Sequence, residues 1–71
     1  MKFALVADDG QARAVVAECE EVDCIQDLAW AYSEESNPVK IPCKFHVCRR
    51  EPSANGENLV TIETWEKGVK L

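Results

Sequence analysis

Four cysteines and the only histidine of the chain are the residues most able to do chemistry. Their spacing gives two Cys-x4-Cys pairs, and the second pair encloses His46; the cysteines are Cys19, Cys24, Cys43 and Cys48. Structural zinc sites use thiolates and imidazoles in pairs that are typically about two to four residues apart. A bound ion could also stabilise a chain of only 71 residues. The four cysteines are therefore an alternative set of zinc ligands.

The segment around the second pair favours a different interpretation. Residues 44–47 alternate in polarity as a strand does, and residues five apart on a strand face opposite ways. Cys43 and Cys48 would then not easily hold one ion. Because no secretory signal is evident, we expect a reducing compartment that keeps the cysteines as thiols. They are interpreted as small apolar residues, with Cys43 buried, and no cofactor is predicted.

An enzyme would need more than these groups. His46 and Cys48 share a strand face, at a separation where an imidazole and a thiolate can meet. The sequence has no glycine-rich phosphate loop and no Cys-x2-Cys redox motif. The prediction is a protein without catalytic activity.

Composition limits the partners. The chain is 46% apolar and 30% charged, which is typical of one small folded domain, residues 1–71. No apolar run approaches the roughly 18 residues of a membrane span. A net charge of −5 disfavours direct contact with nucleic acid or an anionic membrane. We expect a cytoplasmic protein, with basic proteins as its partners.

Local patterns predict two hairpins around one helix. Asp9-Gly10 lies between two apolar runs and indicates a β-hairpin, although residues 11–19 also fit a helix. Asp23 and Gln26 form a capping-box pattern before a helix that should end between residues 33 and 36. Its apolar stripe consists of Ile25, Leu28, Ala29 and Tyr32.

The second half alternates as strands do. Residues 39–50 predict one strand, which Pro42 should make an edge or an irregular strand at that point. Residues 51–58 are rich in turn formers, and residues 59–65 predict the last strand, with Trp65 packed. Residues 67–68 are expected to fray.

These elements predict an α+β fold: a single antiparallel four-stranded sheet with one helix packed on one face, in the order ββαββ. In the expected register the other face is also apolar and carries Ala4, Val6, Val15 and Ala17. One helix covers only one face, so a partner or a second copy in a homodimer is expected to cover the other.

Charge is concentrated in the region of the helix. Residues 11–35 contain seven acidic residues and one base, Arg13, which is a local net charge of −6. At about 100° per residue, one helix surface combines a large aromatic ring with carboxylates. We call this set the acidic helix surface: Asp23, Asp27, Trp30 and Glu34. An aromatic ring supplies burial at an interface and the charges steer the encounter, so this surface is the predicted partner-binding site.

The stretch Val15-Val16-Ala17-Glu18-Cys19-Glu20-Glu21 runs from a predicted strand into a helix. This junction, together with the small size, acidity and element order, resembles small phage-encoded inhibitors of bacterial defence, notably anti-CRISPR proteins. The resemblance implies a stoichiometric protein ligand whose acidic surface occupies a basic nucleic-acid-binding groove, such as that of a CRISPR effector complex. The chain departs from a pure nucleic-acid mimic in one basic segment, which contains Lys40, Lys44, Arg49 and Arg50.

The leading hypothesis is therefore a non-catalytic protein-binding inhibitor. The alternatives are a zinc-stapled Cys/His binding module and a small dimeric regulatory protein.

Overall fold

The computed structural model describes residues 1–34, 43–54 and 56–71. It is an α+β fold in which one helix packs on one face of an antiparallel sheet. The elements in chain order are β1 (Phe3–Asp8), β2 (Arg13–Cys19), α1 (Val22–Ser33), β3 (Lys44–Ser53), β4 (Gly56–Glu66) and β5 (Val69–Lys70). No helix in the described part of the chain has the length and apolar character needed to cross a membrane.

The α+β class and the single helix are confirmed, and the strand count is corrected. In the described part of the chain the sheet has five strands, not four, in the spatial order β2-β1-β3-β4-β5, and the chain order is ββαβββ, not ββαββ. The additional strand is β5, which pairs with the end of β4 where fraying was expected. It forms because Lys67 and Gly68 both adopt positive φ and reverse the chain in a tight turn.

The first hairpin is confirmed, with a longer loop than the predicted two residues. Residues 11–19 belong to a strand, not to the alternative helix. The loop spans residues 9–12, and two carboxylates organise it. Asp8 Oδ1 accepts from the Gly10 amide at 2.9 Å, and Asp9 Oδ1 accepts from the amides of Gln11 and Ala12 at 2.9 and 2.8 Å. Gly10 supplies the φ of +92° that this turn requires.

The helix begins two residues earlier than the capping box predicted. Glu21, not Asp23, is the N-cap residue, and it makes no side-chain capping bond. Asp23 lies in the first turn instead, where a carboxylate still interacts favourably with the helix dipole. The helix ends at Ser33, inside the predicted range, because Glu34 turns to extended backbone.

The second hairpin is longer than predicted. Strands β3 and β4 continue through residues 51–53 and 56–58, which were expected to form a loop. The part of the predicted strand before Cys43, including Pro42, lies outside the described residues. Between Phe45 and Arg49, β3 is an interior strand that pairs with both β1 and β4.

The core lies between the helix and one face of the sheet. Leu5, Ile25 and Val47 are its largest fully buried side chains. The core cluster also contains Cys19, Ala29 and Phe45, and Trp65 packs against it as predicted.

The opposite face of the sheet, here called the outer face, differs from the prediction. The register shifts between Leu5 and Val6, so that Leu5 pairs with Ala17 and Val6 pairs with Val15. Ala17 therefore packs on the core side, although strict alternation had placed it outside. Ala4 and Val6 remain on the outer face but are already buried within one chain. The apolar surface left for a second copy is smaller than expected, and the homodimer stays a prediction.

Candidate functional site

The acidic helix surface lies on the side of α1 that faces away from the sheet. Asp23 and Asp27 are exposed, Glu34 is half-buried, and the Trp30 side chain is 50% exposed. Asp23 and Asp27 precede Trp30 by seven and three positions, so these three side chains share one side of α1. Glu34 lies just beyond the helix end, beside the same turn at Gly68 as the Trp30 ring. The helix contains neither lysine nor arginine.

Hydrogen bonds at the end of the helix hold Trp30 in position. The Ser33 hydroxyl donates to the Trp30 carbonyl at 3.1 Å and accepts from the Gly68 amide at 3.1 Å. The Glu34 amide also donates to the Trp30 carbonyl, at 3.1 Å. Ser33 is buried, so these bonds are shielded from water and tie the helix end to the turn before β5.

The turn at Gly68 also lies close to the Trp30 ring. A Cβ atom at Gly68 would lie 4.0 Å from Trp30 Nε1 and 3.5 Å from Glu34 Cβ. Because Gly68 has a φ of +77° and no side chain, the turn fits closely under the helix end. The Nε1 edge of the indole therefore lies near the turn, and half of the side chain is exposed.

A polar network on the outer face joins four neighbouring strands. His46 Nε2 lies 3.0 Å from Asp8 Oδ2, and His46 Nδ1 lies 2.9 Å from Thr64 Oγ1. Arg13 Nε donates to Asp8 Oδ2 at 3.1 Å. The Gly10 amide, followed by the bond to His46, lowers the pKa of the Asp8 carboxyl. Asp8 and Arg13 belong to one hairpin, whereas His46 and Thr64 are distant in the sequence and reach Asp8 only through the strand order.

Both ring nitrogens of His46 thus face Asp8 and Thr64. Cys48 does share the face of His46, as predicted, but its sulfur contacts the His46 carbonyl and Thr61 Oγ1, each at 3.7 Å. Activation of a thiol needs a hydrogen bond to the imidazole nitrogen. The described contacts place the imidazole in a network that links strands, not beside the thiol.

A second set of ion pairs crosses the outer face. Arg50 Nη2 lies 2.8 Å from Glu18 Oε1, and Arg50 Nη1 lies 3.3 Å from Glu57 Oε2. On the other side of β3, Arg49 is paired with Glu51. Two of the four bases in the predicted basic segment are therefore neutralised by nearby carboxylates, and Lys40 lies outside the described residues.

A shallow groove of about 210 Å³ lies between the two polar sets. Its floor is mainly apolar, and Val15 and Leu59 are 46% and 43% exposed. The residues that line it are Val6, Arg13, Ala14, Val15, His46, Cys48, Leu59 and Thr61.

The structure does not bring the four cysteines together, as the alternative zinc site requires. Cys48 lies on the outer face, whereas Cys19 and Cys43 pack on the core side. Among the described residues, no group of three or more His, Cys, Asp or Glu side chains is arranged to hold a metal ion. The prediction for Cys43 is corrected as well: it is half-buried, and the buried cysteines are Cys19 and Cys48. Burial raises the pKa of the Cys43 thiol.

Two of the cysteines do form a pair. Cys19 ends β2 and Cys24 lies in the first turn of α1, and their sulfur atoms are 2.6 Å apart. This contact was not predicted from the sequence. The available signal was a Cys-x4-Cys spacing across a strand-to-helix junction, where the chain reverses direction and returns the helix over the strand.

A scan against protein-family models and searches of curated proteins and of solved structures find no match for this chain. The function of this chain is therefore inferred from its own residues and their geometry.

Proposed function

We propose that this protein is a non-catalytic protein ligand that docks its acidic helix surface on a basic surface of a partner protein. The observation that supports this most directly is the exposure of Trp30. Tryptophan is among the residues most enriched in binding hot spots. Here half of its surface is left open on a helix that carries only acidic charge.

The position of Trp30 suits it for binding. The Ser33 and Gly68 contacts fix the backbone beneath the ring, so that little conformational entropy is lost when a partner covers it. Asp23 and Asp27 are exposed along the same surface and would steer a basic partner toward it.

The proposal extends to the kind of partner. Small size, net negative charge and an α+β architecture are shared with the inhibitors that phages use against bacterial defence. We infer an inhibitor of that kind, with the basic nucleic-acid-binding groove of a CRISPR effector complex as the candidate target. A carboxylate-rich surface fits such a groove because the groove is built to bind phosphates.

Site-specific cross-linking tests the docking surface. Residue 30 is replaced by a photoreactive benzoylphenylalanine, and a matched variant carries the same group at Leu59, which is similarly exposed on the outer face. Both proteins are irradiated in a nuclease-treated bacterial lysate. We expect position 30 to capture a basic protein that position 59 does not capture.

Two outcomes contradict the proposal. One is capture of the same proteins from both positions, and the other is capture from position 59 alone. Competition tests the extension: if the captured protein uses a nucleic-acid groove, added DNA or RNA oligonucleotides should reduce cross-linking at position 30.

A further inference from the structure

We propose that Cys19 and Cys24 form a dithiol–disulfide exchange site that reacts with small disulfide compounds of neutral or positive charge. Their sulfur atoms are 2.6 Å apart. A disulfide bond is about 2.05 Å long, so a bond between them needs an approach of only about half an ångström. This site adjoins the acidic helix surface at Asp23, but the inference does not depend on the proposed function.

The two thiols differ in accessibility, which assigns them different roles. Cys24 is exposed, whereas Cys19 is only 6% exposed and belongs to the core cluster. An external disulfide can therefore reach Cys24 and not Cys19. Cys24 is the attacking thiol, and Cys19 is the thiol that completes the exchange.

The hydrogen bond between the thiols supports this order. It raises the pKa of Cys19 to about 11, and burial contributes in the same direction. Cys19 therefore keeps its proton at neutral pH while Cys24 reacts. Once Cys24 is bound in a mixed disulfide, it no longer has a thiol that pairs with Cys19. The main cause of the raised pKa of Cys19 is then removed.

The exchange proceeds in two balanced steps. The Cys24 thiolate attacks one sulfur of R–S–S–R, forms a Cys24–S–S–R bond and releases RS⁻, which takes up a proton. Cys19 then loses its proton to solvent and attacks Cys24 Sγ, which breaks the bond to the R–S group and releases a second RS⁻. The protein is oxidised by two electrons, and the small disulfide is reduced to two thiols.

The carboxylates beside the two cysteines favour cationic disulfide compounds over anionic ones. Glu20, Glu21 and Asp23 lie between the two cysteines in the chain and are exposed. Within the described residues, Glu20 is the one of the three with an ion pair, to the N-terminal ammonium at 3.7 Å. Negative charge at the entrance repels an anionic disulfide such as oxidised glutathione and attracts a cationic one such as cystamine.

The test uses the fully reduced wild-type protein. It is incubated separately with cystamine, hydroxyethyl disulfide and oxidised glutathione at equal concentrations, and intact mass is followed over time. We expect a mass loss equal to two hydrogen atoms and a Cys19–Cys24 cross-linked peptide after proteolysis. Cystamine should react at least about fivefold faster than oxidised glutathione at low ionic strength, with the difference reduced by salt.

Variants assign the roles of the two thiols. Cys19→Ser should stop at a stable mixed disulfide on Cys24, and Cys24→Ser should lose most of the reactivity. Cys48→Ser is the matched control, because Cys48 is a buried cysteine on the outer face, and it should react as the wild type does.

The wild-type protein alone can overturn the proposal, so the result does not depend on the folding of a variant. A persistent mixed disulfide, no reaction at Cys24, or a disulfide that includes Cys43 or Cys48 would each exclude the exchange site. Equal rates with all three reagents would exclude the inferred charge preference.

Discussion

His46 Nε2 lies 3.0 Å from Asp8 Oδ2, although the two residues are 38 positions apart in the chain. The contact joins β1 to β3 on the outer face, and Arg13 and Thr64 extend it to β2 and β4. This network stabilises the sheet on the side that the helix does not cover.

Stability in acid should depend on Asp8. The Gly10 amide and His46 lower the pKa of the folded Asp8 carboxyl below its ordinary value of 3.8. The stabilisation is therefore complete above that value and is lost as pH falls through the lower folded pKa. Asp8→Asn should lower the free energy of unfolding at neutral pH and reduce its further decrease between about pH 4 and pH 2. Urea denaturation across this range measures both effects.

Asp27→Asn is the control for this experiment, since Asp27 is exposed on the helix and outside the network. Equal acid sensitivity of the wild type and Asp8→Asn would show that the Asp8 contacts do not contribute to stability.

The Ser33 hydroxyl should contribute to the free energy of unfolding. Ser33→Ala removes the acceptor of the Gly68 amide and the bond to the Trp30 carbonyl. Because Ser33 is buried, we expect a loss of about 1 to 3 kcal/mol in the free energy of unfolding. Chemical denaturation gives this value, and the indole NH signals in an NMR spectrum report whether the environment of Trp30 changes.

The matched control is Ser53→Ala, which removes an exposed hydroxyl that donates to the Gly56 carbonyl. It should cost less than about 1 kcal/mol, because water can replace an exposed hydrogen bond. Similar losses for both variants would contradict the role of the buried Ser33 bonds.

Truncation of Trp30 should separate binding from folding. Trp30→Ala is expected to weaken partner binding by about 2 kcal/mol or more, as loss of a central aromatic residue does. The melting temperature should fall little, because the ring is 50% exposed. Asp27→Lys should mainly slow association and make the affinity less sensitive to salt. The affinity and the association rate can be measured with the partner captured by cross-linking.

Leu59→Ala is the control for Trp30→Ala, since it truncates a similarly exposed apolar side chain on the other face. Unchanged affinity in both Trp30→Ala and Asp27→Lys would eliminate the acidic helix surface as the binding site.

Self-association should occur through the outer face. Two copies would bury the exposed side chains of Val15 and Leu59, which line the groove. Sedimentation equilibrium should detect a weak dimer at high protein concentration, and Val15→Lys should return it to a monomer by placing a charge in the contact. A wild-type protein that is monomeric at every concentration would contradict this prediction.

The sequence by itself determined the local elements. The Asp9-Gly10 signal indicated the first hairpin because few residues besides glycine tolerate the positive φ found at Gly10. The stripe that contains Ile25 and Ala29 indicated the helix and its buried side, since the 3.6-residue period is visible in the order of the residues. The same helical period predicted that the Trp30 side chain is exposed, since it places this residue opposite the apolar stripe.

The tertiary structure decided which side chains share a face and which distant groups meet. Register shifts occur between Leu5 and Val6 and between Val47 and Cys48. Each inserts a residue into one strand and reverses the alternation beyond it, so Ala17 and Glu63 lie on the helix side. A bulge exists only relative to the partner strand, and the pattern of one strand does not contain it. The Asp8–His46 and Cys19–Cys24 contacts depend likewise on strand order and on the path of the chain between elements, which local preferences do not specify.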